Sequence, residues 1–61
     1  MRLRNGDFYT NVSTNKSYRL NEDNDGSWYL SSRDEEGYHE TGKMSGRDMI
    51  RLVEDSYKKS Q

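Results

Sequence analysis

Sixty-one residues, ten Lys/Arg against eleven Asp/Glu and no cysteine describe one domain spanning 1–61. They exclude a disulfide framework, a thiolate metal site and the basic excess that duplex nucleic-acid binding wants. Hydrophobic content of 28% and a mean hydropathy of −1.42 lean toward disorder, yet five Tyr, one Trp and one Phe supply enough bulk for a small core.

The first local signal along the chain is Asn5-Gly6, the dipeptide of tight hairpins. A turn there sets Leu3 opposite Phe8 and makes Met1–Arg4 a fifth strand. Phe8, Tyr18, Trp28 and Tyr38 then recur ten residues apart, with turn-type residues between them. Aromatic and β-branched runs separated in this way read as an antiparallel β-meander. Strands are expected near 7–12, 16–21, 27–32 and 37–41.

Loop parity decides which side chains share a face. Odd loops centred on Thr14, Asn24 and Asp34 place Phe8 opposite Leu20, Leu20 opposite Trp28, Tyr18 opposite Leu30 and Leu30 opposite Tyr38. One apolar face follows: Phe8, Tyr18, Leu20, Trp28, Leu30 and Tyr38, with Val12 at its margin and Trp28 near its centre. Even loops would scatter this set.

After residue 41 the period changes. Met49, Ile50, Leu52, Val53 and Tyr57 follow helical spacing. Ser45 is a fitting N-cap with Asp48 three residues on, and Met44 and Met49 are placed as a hydrophobic staple. Lys58-Lys59 suit a helix C-terminus, and Glu54 with Lys58 makes an i,i+4 pair. The pattern predicts a helix over 46–58, docked by Met49, Ile50, Val53 and Tyr57 on the apolar sheet face. The fold class is therefore α+β: a four-stranded antiparallel meander, five-stranded with Met1–Arg4, and one C-terminal helix packed on one face.

Catalytic and metal chemistry find little to work with. Asn21–Gly26 resembles the front of a calcium loop but has Ser32 where the bidentate Glu belongs. His39 is the one histidine, without the partners a triad or metal site requires. Thr41-Gly42-Lys43-Met44 lacks the rest of a phosphate loop. No enzyme activity, cofactor or metal is expected.

The same odd register gathers Tyr9, Arg19, Tyr29 and His39 in one row on the other sheet face, among small polar residues. Tyr and Arg combine contact area, stiffness and a polar tip, which suits them to binding hot spots. They also pack across strands for purely structural reasons. The functional reading is a non-catalytic module that binds a protein partner through this row. Stacking of single-stranded nucleic acid on the same row is the first alternative. A structural homodimer through free sheet edges, near 7–12 and 37–41, is the second.

No apolar stretch follows Met1-Arg2, so a cytoplasmic protein without membrane contact is expected. A short meander followed by a capped helix resembles, in architecture only, many small accessory proteins of bacteria and phages.

Overall fold

A computed structural model describes residues 1–32 and 41–60. The chain order is β1 (Phe8–Asn11), β2 (Ser17–Glu22), β3 (Trp28–Ser32), α1 (Gly46–Ser56) and β4 (Tyr57–Lys59). The strands form one antiparallel sheet in the order β3-β2-β1-β4. The α+β class and the antiparallel sheet agree with the sequence. Of the expected strand at 37–41, only Thr41 lies within the described residues, and the described β4 follows the helix.

The first hairpin explains the largest rearrangement. Asn11 N donates to Lys16 O at 2.8 Å and Asn15 N to Asn11 O at 2.7 Å. The Asn11 side chain holds the loop by accepting from Ser13 N (2.8 Å) and Thr14 N (3.0 Å). Asn15 adopts φ 63°, a left-handed conformation that asparagine tolerates better than most residues. Residues 12–15 therefore separate the Asn11/Lys16 pair, an even loop. Phe8 stands opposite Arg19, Tyr9 opposite Tyr18 and Thr10 opposite Ser17. Moving the pairing by one residue turns every β1 side chain to the other face.

The second hairpin keeps odd parity. Asp23 N donates to Ser27 O at 2.8 Å and Gly26 N to Asp23 O at 3.0 Å, with Gly26 at φ 87°. This is a three-residue loop with glycine in the left-handed position. It is centred on Asp25 rather than Asn24, so Leu20 faces Leu30 and Glu22 faces Trp28. Partners slide along the strand, but each side chain keeps its face.

Asn5-Gly6 forms a turn without building a fifth strand. Asp7 N donates to Arg4 O at 3.2 Å, Gly6 N to Leu20 O at 2.8 Å and Leu20 N to Asp7 O at 2.8 Å. Gly6 at φ 98° and Asp7 thus share Leu20 as partner, a bulge at the start of β1. Met1–Arg4 belong to no strand.

The helix begins as the sequence indicates. Ser45 is extended (φ −68°, ψ 161°) and accepts a hydrogen bond from Asp48 N at 3.2 Å. It ends earlier than 58. Tyr57 is already extended (φ −132°, ψ 162°), and Tyr57–Lys59 pair with β1 as Asn11↔Tyr57, Thr10↔Lys58 and Tyr9↔Lys59. Val12 N to Ser56 O (3.0 Å) and Ser60 N to Phe8 O (2.8 Å) extend this pairing. Lys58 and Lys59 are strand residues, so neither the Glu54–Lys58 helical pair nor their expected role at the helix C-terminus exists. Backbone groups on the outer side of β1 need partners, and no glycine or proline marks the switch.

The core is made by Tyr9, Leu20 and Leu30 from the sheet with Met49 and Val53 from α1. Leu3, Tyr18, Trp28, Met44, Leu52 and Tyr57 pack around it. Tyr18 and Tyr57 meet edge to face, ring centroids 5.7 Å apart. Three expected core positions change. Phe8 stands on the other face and Val12 is exposed. Trp28 is half-buried at the margin rather than central, beside Gly46 at the helix start, where a Cβ would stand 3.4 Å from its Nε1. Tyr38 lies outside the described residues.

Candidate binding face

Even-loop parity in the first hairpin and odd parity in the second determine what faces away from the core. Phe8 and Thr10 of β1, Ser17, Arg19 and Asn21 of β2, Tyr29 and Ser31 of β3 and Lys58 of β4 share that side. Directly opposed residues form three short rows, one of them Ser17, Thr10 and Lys58. Phe8, Arg19 and Ser31 make the second; Asn21 and Tyr29 make the third.

A polar network fixes the middle of this face. Arg19 Nη1 donates to Asn21 Oδ1. Asn21 Nδ2 donates to Arg19 O at 2.9 Å and to Ser31 Oγ at 3.0 Å, with Tyr29 O at 3.4 Å. Asn21 and Ser31 are buried, and buried polar groups of this kind are stabilised only when they find partners. Arg19 is half-buried between Asn21 and the turn at Gly6, where a Cβ would lie 3.5 Å from Nη2. Phe8 and Tyr29 are half-buried as well.

The row expected from the sequence is therefore only partly assembled. Tyr9 is 2% exposed in the core and lies on the opposite side of the sheet from Arg19 and Tyr29. It cannot be a surface contact, because the even first loop turns it inward. Arg19 and Tyr29 do share a face, but diagonally: Arg19 faces Ser31, and Tyr29 faces Asn21. His39 lies outside the described residues. Phe8 joins the face in place of Tyr9, and Asn21 is the organising side chain that residue-type reasoning passed over. The signal for Phe8 was Asn11 and Asn15 four residues apart, one able to cap the loop and the other able to take φ above zero.

Two charged groupings lie elsewhere. In the acidic turn, Asp23 pairs with Lys43, and this hydrogen bond, with a second from Asn24 N, holds its carboxyl below the usual carboxylate range. Asp25 accepts from Ser27 Oγ (2.6 Å) and Ser27 N (3.0 Å), which lowers its pKa likewise. These carboxylates stabilise the turn. Among the described residues, no three His, Asp or Glu side chains converge as a metal site would require. At the sheet's other end, Lys59 Nζ stands 3.3 Å from Asp7 Oδ2. That oxygen is buried and has no hydrogen bond among the described residues, so its contact with Lys59 is an ion pair. Burial pushes the nearby Tyr9 phenol above its ordinary pKa; Asp7 adds to the shift and Lys59 opposes it.

The sheet edges also differ from expectation. β1 is interior, flanked by β2 and β4. Outside β3, Trp28 and Met44 exchange both backbone hydrogen bonds at 2.8 Å, and Thr41 N donates to Leu30 O at 3.0 Å. The outer edge of β3 is thus partly occupied. β4 forms the opposite edge with Lys58 and Lys59, residues that discourage strand addition. No helix among the described residues is long and apolar enough to cross a membrane. Comparison of the chain with protein-family models, curated proteins and solved structures finds no match.

Proposed function

We propose that this is a non-catalytic binding module, an accessory or regulatory protein of bacterial or phage type acting in the cytoplasm. In this reading it contacts a protein partner through the sheet face bearing Phe8, Arg19 and Tyr29. The observation that supports it is the placement of these three side chains, half-buried, on the face opposite the core residues Tyr9, Leu20 and Leu30. Two aromatic groups and a guanidinium held by Asn21 form a pre-organised, amphipathic patch. Such groups lose little conformational entropy on contact.

The test is a pull-down with and without nuclease, comparing wild type with an Arg19→Ala/Tyr29→Ala variant. Tyr9 stays intact because it belongs to the core. The proposal expects a protein retained after nuclease, lost with the double variant and insensitive to moderate salt. Nucleic acid recovered by the wild type alone, with affinity falling steeply as salt rises, would favour base stacking instead. Identical recoveries from a variant that still melts cooperatively would overturn the face as a binding surface. A molecular mass that doubles with concentration would point to the homodimer.

A further inference from the structure

Asn5-Gly6 is the one Asn-Gly step in the sequence. Its chemistry is independent of the binding face. In a flexible chain, the backbone nitrogen after asparagine can attack the side-chain amide carbon. Glycine in the next position offers the least steric hindrance to that attack, because it has no Cβ. Here Gly6 N would form a bond to Asn5 Cγ while the Cγ–Nδ2 bond breaks. Nδ2 would leave as ammonia, carrying the proton that Gly6 N gives up. Water would then open the cyclic imide at either carbonyl, leaving aspartate or isoaspartate at position 5.

The fold ties down both reacting groups. Asn5 Oδ1 accepts from Glu22 N at 2.8 Å, which aims the side chain at the end of β2. Gly6 N donates to Leu20 O at 2.8 Å, so the would-be nucleophile points into the sheet. Asp7 N to Arg4 O closes the turn at 3.2 Å, and Gly6 is held at φ 98°. The Asn5 side chain is nevertheless exposed, so water reaches it and burial does not protect it. Protection rests on the two hydrogen bonds.

We infer that Asn5 is a conformationally masked deamidation site, locked while the Arg4–Asp7 turn stays paired with β2 and released when that pairing opens. The product would oppose refolding. A carboxylate at position 5 adds negative charge beside Asp7 and Glu22. Isoaspartate also lengthens the backbone by one carbon inside a turn that pairs Gly6 and Asp7 with Leu20. Opening of this end of the sheet therefore becomes irreversible by a chemical route.

The experiment incubates the intact chain at mildly alkaline pH with and without denaturing urea. Peptide mapping by mass spectrometry then follows conversion at Asn5. A third arm uses Leu20→Ala in buffer, which loosens the strand that accepts Gly6 N–H. The expected result is conversion about tenfold or more faster in urea than in buffer, as for any group released only by local opening. Leu20→Ala should fall between the two. Equal rates for folded and unfolded wild type would overturn the inference. So would faster conversion at any of the other asparagines in the unfolded chain.

Discussion

The two faces of this sheet are built from the same three strands, β1, β2 and β3, yet they are held by different physics. On one side Tyr9, Leu20 and Leu30 join Met49 and Val53 in an apolar cluster, where stability grows with the area removed from water. On the other, Asn21 links Arg19 and Ser31 through directed hydrogen bonds, which contribute little net but are costly to leave unpaired. Neighbouring residues such as Phe8 and Tyr9 belong to opposite regimes because side chains alternate along a strand. A one-residue difference in loop length therefore exchanges a core residue with a surface residue.

The sharpest way to break this comparison is to truncate the two neighbours in turn. Tyr9→Ala should cost about 3–5 kcal/mol, as large aromatic truncations in cores do, and leave much of the population unfolded. Phe8→Ala should cost clearly less and still melt cooperatively by circular dichroism. The reverse order would show the faces to be exchanged.

Asn21→Ala tests the polar side. Removing it strips partners from Ser31 Oγ and the Arg19 guanidinium on a buried part of the face. A loss of about 1–3 kcal/mol is expected, measured by urea denaturation with an unchanged slope. A neutral result would mean water replaces the network fully.

How far these regions were legible from the sequence differs for reasons that particular residues show. Ser45 announces the helix start because its hydroxyl has one local task, accepting Asp48 N–H. Leu20 and Leu30 are correctly inward because Gly26 gives the second loop odd parity. The first loop is ambiguous in sequence because Ser13, Thr14 and Asn15 permit both parities, and the Asn11 side chain decides between them. The helix end was illegible for a different reason. Ser56-Tyr57-Lys58 carries no local stop signal, and the free side of β1, distant in sequence, captures Tyr57–Lys59 as a strand. Of the candidate site, Arg19 and Tyr29 share one face as expected, though diagonally and not as opposed partners. Tyr9 was lost and Phe8 missed through that single loop.

Ser45→Ala should lower stability by about 1 kcal/mol through the lost cap, a drop in melting temperature of about 4–8 °C for a domain this small. Lys59→Ala should change stability by about 1 kcal/mol or less, since the Lys59 side chain is itself exposed, although the Asp7 oxygen it meets is buried.

The pH dependence has two limbs. The depressed pKa values of Asp23 and Asp25 mean that their contribution is present above the unfolded carboxylate pKa, about 3.9. It is lost as pH falls through their lower folded values. Asp25 is exposed and Asp23 only half-buried, so this limb should be shallow. The raised Tyr9 pKa acts in the opposite sense. Its contribution is full below about pH 10 and is lost as pH rises through the folded value. Thermal melts across both ranges should show the alkaline limb abolished in Tyr9→Phe.

Everything on the two faces depends on the register of the first hairpin, which proton–proton distances across it report. Opposed residues that exchange no backbone hydrogen bonds bring their Cα atoms to about 4.5 Å, close enough for strong Hα–Hα nuclear Overhauser effects. The hydrogen bonds of Asn11 to Lys16 and Leu20 to Asp7 make Phe8/Arg19 and Thr10/Ser17 such pairs. Both cross-peaks are expected. Hα–Hα contacts that instead join Phe8 to Leu20 or Thr10 to Tyr18 would restore the odd loop, return Tyr9 to the outer face and contradict the architecture described.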